Sequence, residues 1–371
     1  MNAPEMLLLP DTQALPDLRR MPIQKVGVKG LRYPVAIRGR DGDAQPTTAT
    51  FTMTVGLPHD VKGTHMSRFV EILERPRPAF DLAGFRAMLD AMLERLEADE
   101  GAIDVLTAVD AYVPELAGSG YRGATVQDVL DMRSGVRFSE TYLDPAAEVR
   151  LLEQVIGWAP RTAPDLPTSM YEYLATLTAG RAHGAAFEYR SCETDILGWV
   201  CERATGTRLP DLLSARIWSR LGCEQDMDAA VDPAGAVFAD GGLSATLRDL
   251  GRFGQMLLDG GVAQGRPVVP AWFLADSYAA APDTREVFAA SGNGSWLPGG
   301  GYRNQFWLPG GREVLLCLGI HGQMIWVEPA RELVVVKLSS WPLPQEPALL
   351  LDTLAAIDMI GFQLTLAAGL V

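Results

Sequence analysis

The chain has 371 residues, enough for two domains or for one large domain with an inserted lobe, and its 48% apolar and 21% charged residues are ordinary for a globular protein. A net charge of −14 argues against nucleic acid, whose phosphates such a surface repels. Cys192, Cys201, Cys223 and Cys317 form no Cys-x-x-Cys pair, and four histidines complete no zinc spacing, so reduced thiols, a cytoplasmic location and neither metal nor cofactor are expected.

No basic start leading into an apolar core opens the chain, and no uncharged apolar run of about 18 residues is present, so no membrane span is expected. Residues 348–371 come nearest, interrupted by Asp352 and Asp358, and read as an amphipathic helix docked on a sheet. The charge is uneven. Residues 1–98 carry 13 basic and 12 acidic side chains, net +1, against 19 and 34 in the remainder, net −15. Three of the four lysines (Lys25, Lys29, Lys62) are early and only Lys337 is late, which places a seam between two domains near Ala98.

In chain order, residues 1–20 read as a mobile arm, rich in Pro, Asp and Leu without a period. Ile23 to Ile37 alternates as a strand should, Arg38 to Ala44 reads as a turn around Asp41-Gly42-Asp43, and Thr47 to Leu57 alternates again, giving a hairpin. A helix through Leu73 follows, broken by Pro76 and Pro78. A second, from Leu82 to Glu97, sets Phe85, Met88, Leu89, Met92, Leu93 and Leu96 on one face. His65 reads as a solvated or capping residue after Thr64. These first hundred residues resemble the N-terminal part of the type IB GTP cyclohydrolases, through IQKVGVKGLRYPV, the Thr-rich second strand and KGTHMSRFVEILE. The resemblance implies half of a tunnelling-fold unit and assembly through sheet edges. That family's metal-binding cysteine lies in a Pro-Cys-Ser stretch, which this chain lacks.

Beyond the seam, residues 99–104 read as a turn and 109–116 as a short helix. Ala124 to Met132 is a helix with a capping box of Thr125 and Asp128. Residues 143–180 read as helical with proline breaks. Tyr189 and Ser191 stand at the start of an apolar helix to Ala204, and another helix is expected at Leu209–Leu221. Phe238 to Leu258 is a glycine turn entering a helix capped near Ser244 or Thr246. Three apolar strands follow at 312–320, 324–328 and 333–338, with Val334-Val335-Val336 dense enough in β-branching for a central strand. From spacing alone, Tyr189 and Ser191 read as a buried tyrosine and a helix-capping serine, Glu193 and Asp195 as partners of Tyr189 or as an exposed acidic face, and His321 as a strand histidine lining a cleft.

This second portion resembles the serine β-lactamase and penicillin-recognising superfamily, nearest its 6-aminohexanoate-dimer hydrolase and esterase branch. The residues that carry it are VDAYVPEL, TVQDVLDMRSGV, Tyr189-Arg190-Ser191, DGGLSATLRDLGRFGQMLL and LGIHGQMIWVEP. The resemblance implies a role for Tyr189 and Ser191 in proton transfer. It also implies an oxyanion edge within Ile320, His321, Gly322 and Gln323, with the Ile320 backbone N–H as donor, and a small amide or ester as substrate.

The defining element of that superfamily is Ser-x-x-Lys on a buried helix, where a lysine of lowered pKa activates a serine one turn earlier. Three residues before Lys25, Lys29, Lys62 and Lys337 stand Pro22, Val26, His59 and Val334; none is a hydroxyl or thiol. No Gly-x-Ser-x-Gly elbow and no phosphate loop replaces it. The expected fold is therefore α/β: a β-lactamase-like body over 99–371 with a helical lobe, lacking its leading strands and nucleophile helix. A strand–strand–helix piece over 21–98 precedes it. Three functions fit: a β-lactamase-like hydrolase with little or no acylation, a cyclohydrolase-derived module that binds or self-associates through the 23–57 hairpin, or a fusion without a selected function.

Overall fold

The computed structural model describes residues 23–38, 44–57, 64–75, 82–99, 101–162, 164–281 and 283–367. The expected arm at 1–20, the Asp41-Gly42-Asp43 turn and the Pro76 and Pro78 break lie outside them. The chain divides into two units, Met1–Ala111 and Tyr112–Val371.

In the first unit, β1 (Ile23–Arg38) and β2 (Ala44–Leu57) form the expected antiparallel hairpin. The register shifts between Val28 and Leu31, where Gly30 takes a φ of +76° that a side chain with Cβ disfavours. Helices α1 (Met66–Glu74) and α2 (Leu82–Leu96) follow. The helix faces foreseen from spacing do meet the sheet: Phe69, Ile72, Met88, Met92 and Leu96 bury against Phe51, Met53 and Val55. His65 occupies the N-cap position of α1 without a side-chain cap bond.

The expected turn after Ala98 is instead a strand, β3 (Gly101–Thr107), paired antiparallel with β2 from Val55↔Gly101 to Ala49↔Thr107. Acidic Asp104 masks an alternating segment, and the unpaired side of β2 offers it a ladder of hydrogen bonds. The sheet order is β1-β2-β3, so this unit runs past the expected seam.

Helix α3 (Val109–Tyr112) spans the boundary between the units, and the second continues with α4 (Val126–Leu130), closed by the Thr125–Asp128 capping box in both directions. The helical lobe continues through α5 (Glu148–Val155), α6 (Met170–Ala175), α7 (Cys192–Thr205) and α8 (Leu209–Arg216). After the small hairpin of β4 (Asp228–Ala229) and β5 (Leu243–Ser244), Thr246 caps α9 (Leu247–Leu258) by accepting from the Asp249 N–H. A further hairpin, β6 (Val262–Ala263) and β7 (Arg266–Pro267), leads to α10 (Ala271–Ala279) and α11 (Thr284–Ala289).

The body is a five-stranded antiparallel sheet of β8 (Gly301–Arg303), β9 (Phe306–Leu308), β10 (Leu315–Gly319), β11 (Gln323–Glu328) and β12 (Leu333–Lys337). Its order is β12-β11-β10-β9-β8, so β12, expected to be central, is a terminal strand among those described. Its β-branched run is explained by packing on α9. Gly254 of that helix lies so near Val334 that an added Cβ would come within 2.6 Å of it. Asn304 and Gln305, both at positive φ, make the β8–β9 turn, and Gln305 is tied to the Val129 and Leu130 carbonyls.

The C-terminal helix α12 (Pro347–Ala367) covers the sheet as expected, burying Ile357 with Met324, Trp326 and Leu333. It is not amphipathic. Its outer face is apolar as well, with Met359 70% exposed and Leu351, Ile360, Phe362 and Leu364 beside it. Pro347–Leu364 is long and apolar enough, by length and composition, to cross a membrane. Asp358, which interrupted the run in sequence, is an ion-pair partner of Arg312 and Arg331.

Candidate active site

Ser191 stands at the N-cap of α7, but its side chain makes no cap bond. Its backbone N–H donates to a Glu140 carboxylate oxygen. The capping role read from spacing is thereby replaced by a polar cluster. The other Glu140 oxygen accepts from the Tyr142 hydroxyl at 3.4 Å. Asp195, one turn into α7, accepts the Ala239 N–H at 2.7 Å and the Asp240 N–H at 3.3 Å.

Burial drives the carboxyls of this cluster upward. It raises Glu140, raises Asp195 well above the usual range with help from Asp240, and lifts Asp240 to about 7. The phenols of Tyr142 and Tyr189 are also pushed up, first by burial and then by the Glu140 charge. A phenolate at Tyr189 is thus disfavoured as the molecule stands.

Tyr189 is held by an aromatic wall. Its ring stacks on Trp307 at 5.2 Å with planes 26° apart and meets Tyr302 edge-on at 6.1 Å. A cleft of about 350 Å³ lies before it, walled by Ser139, Glu140, Thr141, Arg181 and Tyr189. The exposed acidic face expected of α7 is overturned. Glu193 and Asp195 are fully buried, and Glu193 accepts from Ser134 and pairs with Arg190 at 3.4 Å. Two neighbours of different polarity account for this: Arg190 and Ser134 on one side, the 239–240 backbone on the other.

The expected oxyanion edge follows β10. Ile320 begins a tight 3-10 turn with its side chain 43% exposed. His321 takes a φ of +58°, and its Nδ1 donates to the Trp341 carbonyl at 2.7 Å. Gln323 Nε2 donates to the Ser339 carbonyl at 2.6 Å, and the carbonyl of Gly322 accepts from Lys337 Nζ at 3.1 Å. Residues 320–323 do not wall the cleft that contains Tyr189. Lys337 also sits 4.3 Å over the Trp341 ring, so the late lysine is engaged away from Tyr189.

Sequence reading missed Glu140, Tyr142 and Asp240. Glu140 lay in a stretch without period, and Asp240 in what reads as a plain glycine turn. Among the described residues no group of three His, Cys, Asp or Glu is placed to hold a metal ion.

A helical lobe, an antiparallel sheet covered by helices and a Tyr-x-Ser pair beside the cleft define a hydrolase body of the penicillin-recognising type. The chain belongs to the β-lactamase family, whose model matches residues 90–358. The 6-aminohexanoate-dimer hydrolase of Paenarthrobacter ureafaciens is 42% identical over 270 residues, 71% of this chain and 68% of that protein. A second family model, type I GTP cyclohydrolase FolE2, matches residues 9–122. GTP cyclohydrolase FolE2 1 of Dechloromonas aromatica is 53% identical over 105 residues, 28% of this chain. The chain spans only 40% of that cyclohydrolase. A solved structure described as a 6-aminohexanoate-dimer hydrolase from Bacillus anthracis aligns over 95% of this chain and 92% of its own, with TM-score 0.62 and 24% identity, a likeness of fold.

Proposed function

We propose that this chain is a β-lactamase-family protein that keeps the ligand cleft of an amide or ester hydrolase and forms little or no acyl-enzyme. One observation carries the reading. Tyr189 is stacked on Trp307, Lys337 is engaged at Gly322 and Trp341, and no lysine of the chain follows a hydroxyl or thiol by one helical turn. A buried phenol stays protonated in acidic surroundings, so it cannot strip a proton from a nucleophile. Loss of the nucleophile itself costs on the order of a million-fold in a serine hydrolase. The cleft, its aromatic wall and its polar rim remain, and they suit binding of a small polar molecule.

The test is intact-mass spectrometry after exposure to a fluorophosphonate and to a β-lactam. No stoichiometric adduct is expected. An adduct mapped to one defined serine would overturn the reading.

A second reading rests on β1, a strand of 16 residues at the edge of its sheet. Such an edge pairs readily with another chain, which favours self-association through the 23–57 hairpin.

A further inference from the structure

We propose that the outer face of α12 seats a second copy of this chain, as an antiparallel helix pair about a two-fold axis at Met359. The inner face of the helix is committed, with Leu350, Leu354 and Ile357 packed in the sheet cluster and Asp358 paired with Arg312 and Arg331. Turned away from them, Leu351, Ala355, Met359, Phe362 and Leu366 recur at steps of four, four, three and four residues, which lays them in one exposed stripe. A contiguous apolar stripe of this length marks an interaction surface, unlike single apolar residues scattered over a surface.

The stripe is complementary to itself. With Met359 set opposite Met359 of the second copy, Leu351 meets Leu366 and the small Ala355 faces the bulky Phe362, so side-chain volumes match along its length. Asp352 and Gln363 are exposed along one margin of the stripe, and the same register brings each carboxylate beside the amide of the other copy as a polar rim. It also holds the two Asp352 charges about 20 Å apart, whereas a parallel pair would set them against each other. The stripe offers on the order of 500 Å² of apolar surface, and the rim brings two copies to the lower end of stable interfaces, about 1,200 Å² in all. Charge speaks against a lipid surface in its place. Helix α12 carries Asp352 and Asp358 and no lysine or arginine, in a chain of net charge −14, and crossing a bilayer would break the Asp358 ion pairs.

The experiment is sedimentation velocity of the full chain over a dilution series, for wild type and Met359→Glu. Wild type is expected to dimerise reversibly, and Met359→Glu, which sets two carboxylates on the axis, to weaken dimerisation about ten-fold or more with Tm unchanged. A wild type that stays monomeric overturns the proposal. So does association undiminished in the variant, which is the result that pairing through the 23–57 hairpin alone would give. A second variant fixes the register and guards against one that does not fold. Met359→Cys is expected to form a 359–359 disulfide between copies on mild oxidation, identified by peptide mass spectrometry. A dimer that persists without that link overturns the proposal, as does flotation of wild type with phosphatidylcholine vesicles that Met359→Glu abolishes, since the face would then belong to lipid.

Discussion

Ser191 shows how one position changes meaning between chain and fold. By sequence it is a cap, two residues from a tyrosine. In the structure its backbone N–H donates to the Glu140 carboxylate. Removing that acceptor leaves a half-buried N–H without its partner, so Glu140→Ala is expected to lower stability by about 1–3 kcal/mol, read from the urea midpoint. A midpoint within experimental error of wild type would mean that this bond contributes nothing to the fold. Tyr189 was legible because its motif is local. Glu140 was not, because it lies 51 residues from the serine it serves and no spacing rule joins them.

At the scale of elements, periodic segments were read most faithfully. The hairpin, both helices that cover it, and the caps of α4 and α9 follow from alternation, apolar faces and Thr-x-x-Asp spacing. Strand β3 was not legible, since a seven-residue stretch holding an aspartate becomes a strand only when β2 offers it a partner. The mirror case is β12, whose composition reads as central although its place in the sheet is terminal. The free side of β1 makes a prediction at this scale. The full chain is expected to elute as an oligomer by light scattering and to shift toward monomer on dilution. A monomer at every concentration in wild type would rule out hairpin-mediated association.

Across the whole molecule, buried acids set the response to pH. Asp240 keeps its proton to about 7 when folded, whereas an aspartate in the unfolded chain releases it near 4. Between those values the native state binds more protons, so stability falls as pH rises from about 4 to 7, by on the order of a few kcal/mol. Asp249 and Asp358 are held below the usual range, Asp249 chiefly by the Glu224 N–H and Asp358 by Arg312, and act in the opposite sense below that window. Urea unfolding from pH 4.5 to 8 is expected to show the decline, and Asp240→Asn should flatten it. An equally steep profile in the variant would mean that other groups carry it.

The division of labour between sequence and structure is clearest in this acidic centre. Composition, period and motif were enough to determine two unlike segments, their resemblances, and the lack of any hydroxyl one turn before a lysine, because each is a property of neighbouring residues. The tertiary fold alone decided that Glu140, Asp195 and Asp240 crowd one serine, that Lys337 is engaged elsewhere, and that β3 completes the first sheet. Those outcomes depend on which distant surfaces meet and exclude water. Charge and hydrogen bonding change their energetic weight only once that has happened.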